Sequence, residues 1–433
     1  MNIFDLLKKK RLGGELTDDE IEYLIEGVTF DRFPDYELSA LLMAITINGM
    51  SERETTKLTI EMAKSGDMLD LSKVKGIKAD KHSTGGISDT TTLVIVPILA
   101  SLGIKMAKMS GRGLGFTGGT ADKLEAIDGF QTGITNEQFI KNIKTIGASM
   151  ITQTNDIAVA DKKLYALRSV TDTVESIPLI ASSIMSKKLA SGADIILLDV
   201  KFGDGAFMKN EKEALNLANL MVKIGKNAGK KMCAIISSMD QPLGNGIGCT
   251  LEVRDAIEVL NGKENRLSEV SIEICVQILK LAYGISDKEA RAKVLETIKS
   301  GAALKKLKQI VKAQGGNEKI ISRPELLKKA KYSKVVPALN SGKIVAIHGE
   351  TLGNACNLLG GGRIKKEDKI LHEVGIDMKV SLNSSVQKCE PLAIVYYNKK
   401  DGINDIIAKI QSAFRIEETK RNVKTKLISK IIK

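Results

Sequence analysis

The chain has 433 residues, with 65 Lys and Arg against 52 Asp and Glu, a formal net charge of +13, and 43% hydrophobic and 27% charged residues. That composition excludes wholesale disorder, and at this length it gives two or three domains with a large buried core. No run is long and apolar enough to span a bilayer, and the N-terminus lacks the apolar stretch and cleavage site of a signal peptide, so a cytoplasmic protein is expected.

The first 65 or so residues read as helices. LTDDEIEYLIEGV offers Thr17 as an N-cap with Glu20 three residues on, the spacing of a capping box. PDYELSALLMAITINGM and SERETTKLTIEMAKSG follow, apolar at three-to-four spacing. From about residue 75, short β-rich runs alternate with helical ones. TTLVIVPILASLG reads as a helix and IKMAKMS as a strand; a helix lies within DGFQTGITNEQFIKNIKTIG, and ASMITQ is the next strand. SGADIILLDV, helical EKEALNLANLMVKIGKNAG and strand KMCAIISS complete the series. This alternation predicts an α/β domain with a mostly parallel central sheet.

The helical stretch 157–190 interrupts that pattern and is expected to pack back onto the N-terminal helices. The small all-helical domain is then discontinuous, 1–65 plus about 157–190, and the α/β domain covers about 66–156 plus 191–330. Residues 267–315 continue helical. Beyond Pro337, VPALNSGKIVAIHG, GGGR (Gly360–Arg363) and EPLAIVYY predict a C-terminal α+β domain over about 331–433. The last residues, TKRNVKTKLISKIIK, read as a basic solvated helix or frayed end.

The positive excess is a poor nucleic-acid footprint. Of the 65 cations 12 are Arg and 53 Lys, and aromatic residues are 4% with no Trp, so base-edge readout and base stacking are both weakly provided for. The excess reads as Lys-rich solvated surface, with neither nucleic acid nor membrane as a partner. Cys233, Cys249, Cys275, Cys356 and Cys389 are scattered and form no CxxC, and the only histidines are His82, His348 and His372. Neither a disulfide framework nor a zinc or His-rich metal centre is signalled.

Two Gly/Ser/Thr-rich loops hold the chemistry. The first, Lys81-His82-Ser83-Thr84-Gly85-Gly86-Ile87-Ser88-Asp89, leads into the apolar helix that begins near Thr90. The second runs from Lys108-Met109-Ser110 through Arg112 and Thr117 to Gly118-Gly119-Thr120, and a helix follows it. Small residues let backbone approach a ligand, helix N-termini favour negative charge, and lysines with hydroxyls suit phosphate oxygens. Neither loop fits GxxxxGK[ST], nor GxGxxG with an acidic residue about 20 positions on, so ATP hydrolysis and dinucleotide binding are disfavoured. Taken singly, each loop also fits a plain glycine turn between strand and helix. Together they point to an α/β enzyme handling a phosphorylated or phosphate-like substrate.

SGRGLGFTGGTADKLE (Ser110–Glu125) resembles the signature of the thymidine and pyrimidine-nucleoside phosphorylase family. DKHSTGG (Asp80–Gly86), DKKLYALR (Asp161–Arg168), SIPLIASSIMSKKLA (Ser176–Ala190) and MDQPLG (Met239–Gly244) resemble the same family in order along essentially the whole chain. The resemblance implies reversible phosphorolysis of a pyrimidine nucleoside to free base and (2-deoxy)ribose 1-phosphate, with orthophosphate as co-substrate and no organic cofactor. It places phosphate on Lys81, Ser83, Thr92, Lys108, Ser110 and Thr120, and the base on Arg168, Ser183 and Lys187 with His82 beside its 2-oxo group. His82, Arg168 and Lys187 are thereby the catalytic set. A protonated or donating His82, with Arg168 and Lys187, would stabilise charge on the departing base, and phosphate would face the positive sugar.

The two half-sites fall on different domains, so closure is expected to join them. The resemblance further implies a homodimer through the small helical domain. It also implies a potassium ion held by Ser88, Thr90, Leu243, Gly246 and Asp255.

Three departures from the family pattern stand out. Ser88 replaces a usual Gly; Ser169 follows Arg168 where an Asp is usual; and LHEVGIDMKVSLNSSVQKCEPL diverges most. Lys108, where strict thymidine phosphorylases tend to have Met, implies activity on uridine as well as thymidine and deoxyuridine. A strict thymidine phosphorylase and a catalytically silent nucleoside-binding protein are the alternatives. An anthranilate phosphoribosyltransferase-like enzyme lacks support, because the acidic magnesium–diphosphate motif is missing.

Overall fold

Five strands buried along almost their whole length form a parallel sheet: β1 (Lys78–Ser83), β2 (Lys105–Ser110), β3 (Ala148–Thr152), β4 (Ile195–Phe202) and β5 (Lys231–Ser238). Their order in the computed structural model is β5-β4-β1-β2-β3. The structure describes residues 1–113, 115–152, 156–363, 365 and 368–433. Leu114 of the second glycine loop and Gln153 at the end of ASMITQ lie outside them.

The chain runs from β1 outward to β3, then crosses to the other side of β1 for β4 and β5. Strand order therefore reverses between β1 and β4, and ligands of such sheets bind outside the strands' carboxyl ends at that reversal. Helix Thr91–Ser101, apolar on every side, lies between the sheet and helices Cys249–Leu260, Arg266–Tyr283 and Ala302–Ala313, which is why it needs no polar face.

Helices Ile3–Arg11, Asp18–Thr29, Asp35–Asn48 and Glu52–Lys64 share one core with Val159–Arg168 and the start of Ile177–Ala190, through Leu6, Leu24, Leu41, Leu58, Leu164 and Leu179. Thr17 caps as its spacing predicts: its hydroxyl accepts from the Glu20 N–H, and the Glu20 carboxylate accepts from the Thr17 N–H at 2.6 Å. Ser51 and Glu54 repeat the device. The chain crosses between this helical body and the sheet near residues 66, 156 and 191. There Asp67 N–H donates to Asp156 O at 2.6 Å and Leu69 N–H to Ala190 O at 2.9 Å. A Cβ on Gly66 would sit 2.1 Å from Asp156 O, so only glycine permits the crossing strands to lie this close.

The C-terminal strands are β6 (Gly246–Ile247), β7 (Tyr332–Pro337), β8 (Gly342–Ile347), β9 (Gly375–Met378), β10 (Ser385–Val386), β11 (Pro391–Tyr397), β12 (Phe414–Glu417) and β13 (Ile428–Ile432). All but β13 make two small sheets, β6-β9-β11-β7 and β10-β8-β12, with helices Gly349–Leu358 and Ile403–Ser412. β6 comes from the α/β region and pairs with β9, and one hydrophobic core runs through both regions.

The terminal segment corrects the reading of a solvated helix or frayed end. β13 adds antiparallel to β5 at the edge of the central sheet, with Leu427 buried. Its backbone pairs with an edge of β5 that would otherwise present unpaired groups, and that outweighs the basic composition.

Candidate active site

β1 has the sequence of a strand that should not be in a core. Its Asp80 and Lys81 are almost wholly buried, as are Asp199 and Lys201 in neighbouring β4. Lys81, Asp199 and Lys201 assemble into an ion network with Asp89, while Asp80 pairs separately with Lys108 and Lys188. Lys81 Nζ donates to Thr91 Oγ1 at 2.5 Å and lies 3.5 Å from Asp199, Lys201 Nζ is 2.9 Å from Asp199, and Ser237 Oγ donates to Asp199 at 2.6 Å. Burial pushes the Asp89 carboxyl up, but Lys201, Lys81 and Lys123 outweigh it and hold it well below the ordinary carboxylate range. Ser83 Oγ donates to Asp89, which anchors the first glycine loop at the carboxyl end of β1.

β2 ends alongside with Lys108, Met109 and Ser110, all buried. Lys108 Nζ donates to Met109 O at 2.9 Å and lies 3.4 Å from Asp80. The Ser110 hydroxyl is buried without a hydrogen-bond partner among the described residues, the state of a donor set for a ligand. Thr92 is in the first turn of helix Thr91–Ser101, and Thr120 opens helix Thr120–Glu125. A Cβ on Gly119 would come within 2.1 Å of Gly113 N, so the second loop folds on itself only with glycine there. All six expected phosphate ligands thus lie on β1, β2 or the helices that follow them, on the side where the sheet order predicts a ligand.

Burial lowers Lys108 to about 7, with Asp80 opposing the shift and Lys188 and Lys81 adding to it. An anion binds the charged form. Phosphate affinity is therefore expected to fall as pH rises above about 7, and Lys108→Gln should remove that component while leaving phosphate's own ionisation in place. Phosphate KM of both proteins between pH 6.5 and 9 checks this.

The opposite wall comes from the helical body. Arg168 ends helix Val159–Arg168 but is not the surface cation that its position suggests: it is buried. Nε donates to Thr173 O at 3.2 Å, Nη1 to Leu179 O at 3.1 Å and Nη2 to Val174 O at 2.7 Å. Two carbonyls of the loop after the helix and one from the first turn of helix Ile177–Ala190 thus fix the guanidinium, so the Asp missing at Ser169 is not needed to orient it. Two of its five N–H groups stay available for a ligand. Lys187 pairs with Asp161, and Ser183 Oγ accepts from its Nζ at 3.1 Å.

His82 lies near the carboxyl end of β1, half-buried, between Lys81 and Ser83. Burial first, then Lys188, Lys108, Lys81 and Lys187, hold it well below its ordinary value. It is therefore neutral at pH 7, so of the two expected forms the donating imidazole applies and the protonated one does not.

The cation residues form a separate nest beneath the first loop. Asp255 Oδ2 accepts from Asn245 N–H at 2.8 Å and Gly246 N–H at 2.6 Å, while its buried Oδ1 has no hydrogen-bond partner among the described residues and lies 4.0 Å from Arg254 Nη2. Burial raises its carboxyl to about 6, against the pull of the Gly246 N–H. Ser88 Oγ donates to Gly246 O at 2.6 Å, and a Cβ on Gly244 would fall 2.6 Å from Ser88 Oγ. Ser88 has φ +58°, the left-handed conformation that explains a usual glycine there. Leu243 N–H donates to Ile87 O and the Thr90 hydroxyl to Glu252. Thr90 O accepts from the Leu93 N–H and Ser88 O from the Thr90 N–H, both at 3.1 Å, so each of these carbonyls keeps one lone pair for a cation. An orphaned carboxylate oxygen beside backbone carbonyls fits a monovalent cation.

Residue spacing missed Asp80, Asp161, Lys188, Asp199 and Lys201. The signal was present in ILLDVKF, where Asp199 and Lys201 interrupt an apolar run otherwise typical of a strand buried on both faces. His348, set aside as structural, lies 3.4 Å from Asp204 where the C-terminal region meets the α/β region.

Comparison with known proteins gives first the class. Residues 4–66 match the helical bundle domain, and residues 75–304 the a/b domain, of the glycosyl transferase family. Residues 343–417 match the pyrimidine nucleoside phosphorylase C-terminal domain. The chain is 49% identical over 418 residues to a pyrimidine-nucleoside phosphorylase of Bacillus subtilis, covering 96% of each, and 47% identical to one of Staphylococcus aureus over the full length of both. The chain belongs to the pyrimidine-nucleoside phosphorylase family and is a glycosyltransferase. Anthranilate phosphoribosyltransferase from Thermus thermophilus shares the fold, with a TM-score of 0.60 at 18% identity, covering 72% of this chain and 99% of that one.

Proposed function

We propose that the protein catalyses reversible phosphorolysis of pyrimidine nucleosides, uridine as well as thymidine and deoxyuridine. The observation that carries this is the pairing of two kinds of cation: Lys81 and Lys108 beside the unpartnered Ser110 hydroxyl at the ends of β1 and β2, and Arg168 and Lys187 fixed by carbonyls and by Asp161 on the helical body. Phosphate held by Lys81, Ser83, Thr92, Lys108, Ser110 and Thr120 attacks C1′ of the ribose as the C1′–N1 bond breaks. The bonding pair leaves with the base. Arg168 and Lys187, held ready by fixed carbonyls and by Asp161, stabilise the charge on its oxygens, and His82 donates an N–H to the 2-oxo group. The base anion then takes a proton from water.

Two buried clusters set the charge of the phosphate site. Among the described residues, Lys81 and Lys201 balance Asp89 and Asp199, whereas Lys108 and Lys188 share the one carboxylate of Asp80, so the positive excess lies beside Lys108 and is full only below about pH 7. Ser88, Thr90, Leu243, Gly246 and Asp255 would hold potassium, which would neutralise Asp255 and stiffen the loop between β1 and the phosphate site. Closure about the crossings near residues 66, 156 and 191 brings the walls together. A nucleoside-binding protein without catalysis would have no need to keep Lys81, His82, Arg168 and Lys187 all in place.

The substrate range rests on Lys108. Uridine turnover within about tenfold of thymidine turnover is the expected result of comparing uridine, thymidine and deoxyuridine; negligible uridine turnover would leave a strict thymidine phosphorylase.

The protein acts as a homodimer in the cytoplasm. Its five cysteines are free, as a reducing compartment keeps them. Tyr36, Met43 and Ile47 line one exposed face of helix Asp35–Asn48, near exposed Phe4 and Leu12 of the adjoining N-terminal helix, an apolar patch suited to a second copy. Ile47→Asp is expected to yield monomer by light scattering with an unchanged circular dichroism spectrum; a dimer of unchanged mass would remove this face from the interface.

A further inference from the structure

Lys187 and Lys188 are consecutive on helix Ile177–Ala190 yet serve opposite sides of the cleft. Lys187 stays in the helical body with Asp161 and Ser183. Lys188 is buried and leaves that body. Its Nζ donates to Asp80 Oδ2 at 2.7 Å in β1 and to Met109 O at 3.2 Å in β2. Lys108 Nζ uses the same two acceptors, Met109 O at 2.9 Å and Asp80 Oδ1 at 3.4 Å. Asp80 is wholly buried and also accepts from its neighbouring Lys81 N–H at 2.7 Å.

We propose that Lys188 and Asp80 are a positioning pair that couples phosphate binding on the α/β domain to base binding on the helical domain. The inference rests on the phosphorolysis reading of the site. The physical reason is competition for one carboxylate. With Lys188 in place, Asp80 keeps a cation when Lys108 turns its ammonium toward phosphate. Without Lys188, Asp80 has Lys108 as its nearest remaining ammonium, and phosphate must draw Lys108 away from a buried carboxylate. The same bond ties helix Ile177–Ala190, and with it Ser183 and Lys187, to the strands that end in the phosphate site. A shift at either end is therefore felt at the other, and the coupling is reciprocal as linkage requires.

The test is the dissociation constant of inorganic phosphate, measured calorimetrically on the full chain with and without saturating uracil. In the parent protein uracil is expected to tighten phosphate by about fivefold or more. Lys188→Met should bring that ratio close to one and raise the phosphate dissociation constant, and Lys188→Arg should restore most of the ratio. If Lys188→Met does not fold, Lys188→Met/Asp80→Asn removes the unpaired charge and should fold with the ratio still near one.

A parent ratio of one, or an unchanged ratio in the folded variants, overturns the coupling while phosphorolysis by the parent stands. Absence of phosphate binding and of base release by the parent overturns the reading of the site itself, and the coupling with it.

Discussion

Arg168→Met is expected to lower kcat/KM for phosphorolysis by about 10²–10³-fold, the cost of removing one fixed donor aimed at developing negative charge. The phosphate dissociation constant should change little, because Arg168 lies on the helical wall and every expected phosphate ligand lies on the other. The variant should also lose about 2 kcal/mol of stability, since Thr173 O, Val174 O and Leu179 O lose the guanidinium that they share. Arg168→Lys separates the two effects. An ammonium can satisfy some of these carbonyls and recover stability, but it cannot hold three of them and still present two N–H groups to a base. Steady-state kinetics with saturating phosphate, beside a thermal melt, check both parts. A loss confined to phosphate KM would move Arg168 to the other wall.

Lys81→Met has the larger expected effect on stability. Lys81 is buried between Asp199 and Asp89, and its removal leaves Lys201 as the nearest cation to the Asp199 carboxylate and Asp89 dependent on Lys201 and Lys123. Breaking a buried ion network on one side costs about 3–5 kcal/mol, because the remaining charge is left poorly compensated. Phosphate binding should fall below detection at millimolar concentrations. The double variant Lys81→Met/Asp199→Asn restores the charge balance. It should recover most of the stability and none of the phosphate binding, a split that a purely structural role for Lys81 would not produce. Calorimetric titration of phosphate into the two variants, with melts of each, measures it.

The parts of the fold legible from sequence are those written in repeating local signals. The strand–helix alternation up to residue 238 marks a parallel sheet because strands such as β3 and β4 are largely apolar on both faces, a signal that β1, KADKHS, lacks. Thr17 and Glu20 mark a helix start because their spacing satisfies two orphan N–H groups. The glycine loops read as a candidate anion site because hydroxyls, lysines and helix starts recur at short range.

What stayed hidden depends on partners far apart in the chain. Asp80 and Lys188 are 108 residues apart, and neither reveals its role until β1 and helix Ile177–Ala190 meet. Arg168 looks exposed at a helix end until the loop that follows and the next helix supply its carbonyls. β13 is a short basic run whose meaning comes entirely from the open edge of β5. Ser88 shows the reverse case: its departure from glycine is visible in sequence, but its left-handed backbone and its bond to Gly246 O are visible only in the fold.

The central claim is that phosphate, bound between the ends of β1 and β2, is the nucleophile. Incubating the protein with uridine and ³²P-labelled orthophosphate tests it most directly. The expected result is uracil and labelled ribose 1-phosphate in equal amounts, with no uracil formed when phosphate is omitted. Uracil released at the same rate without phosphate, together with unlabelled ribose, would contradict it.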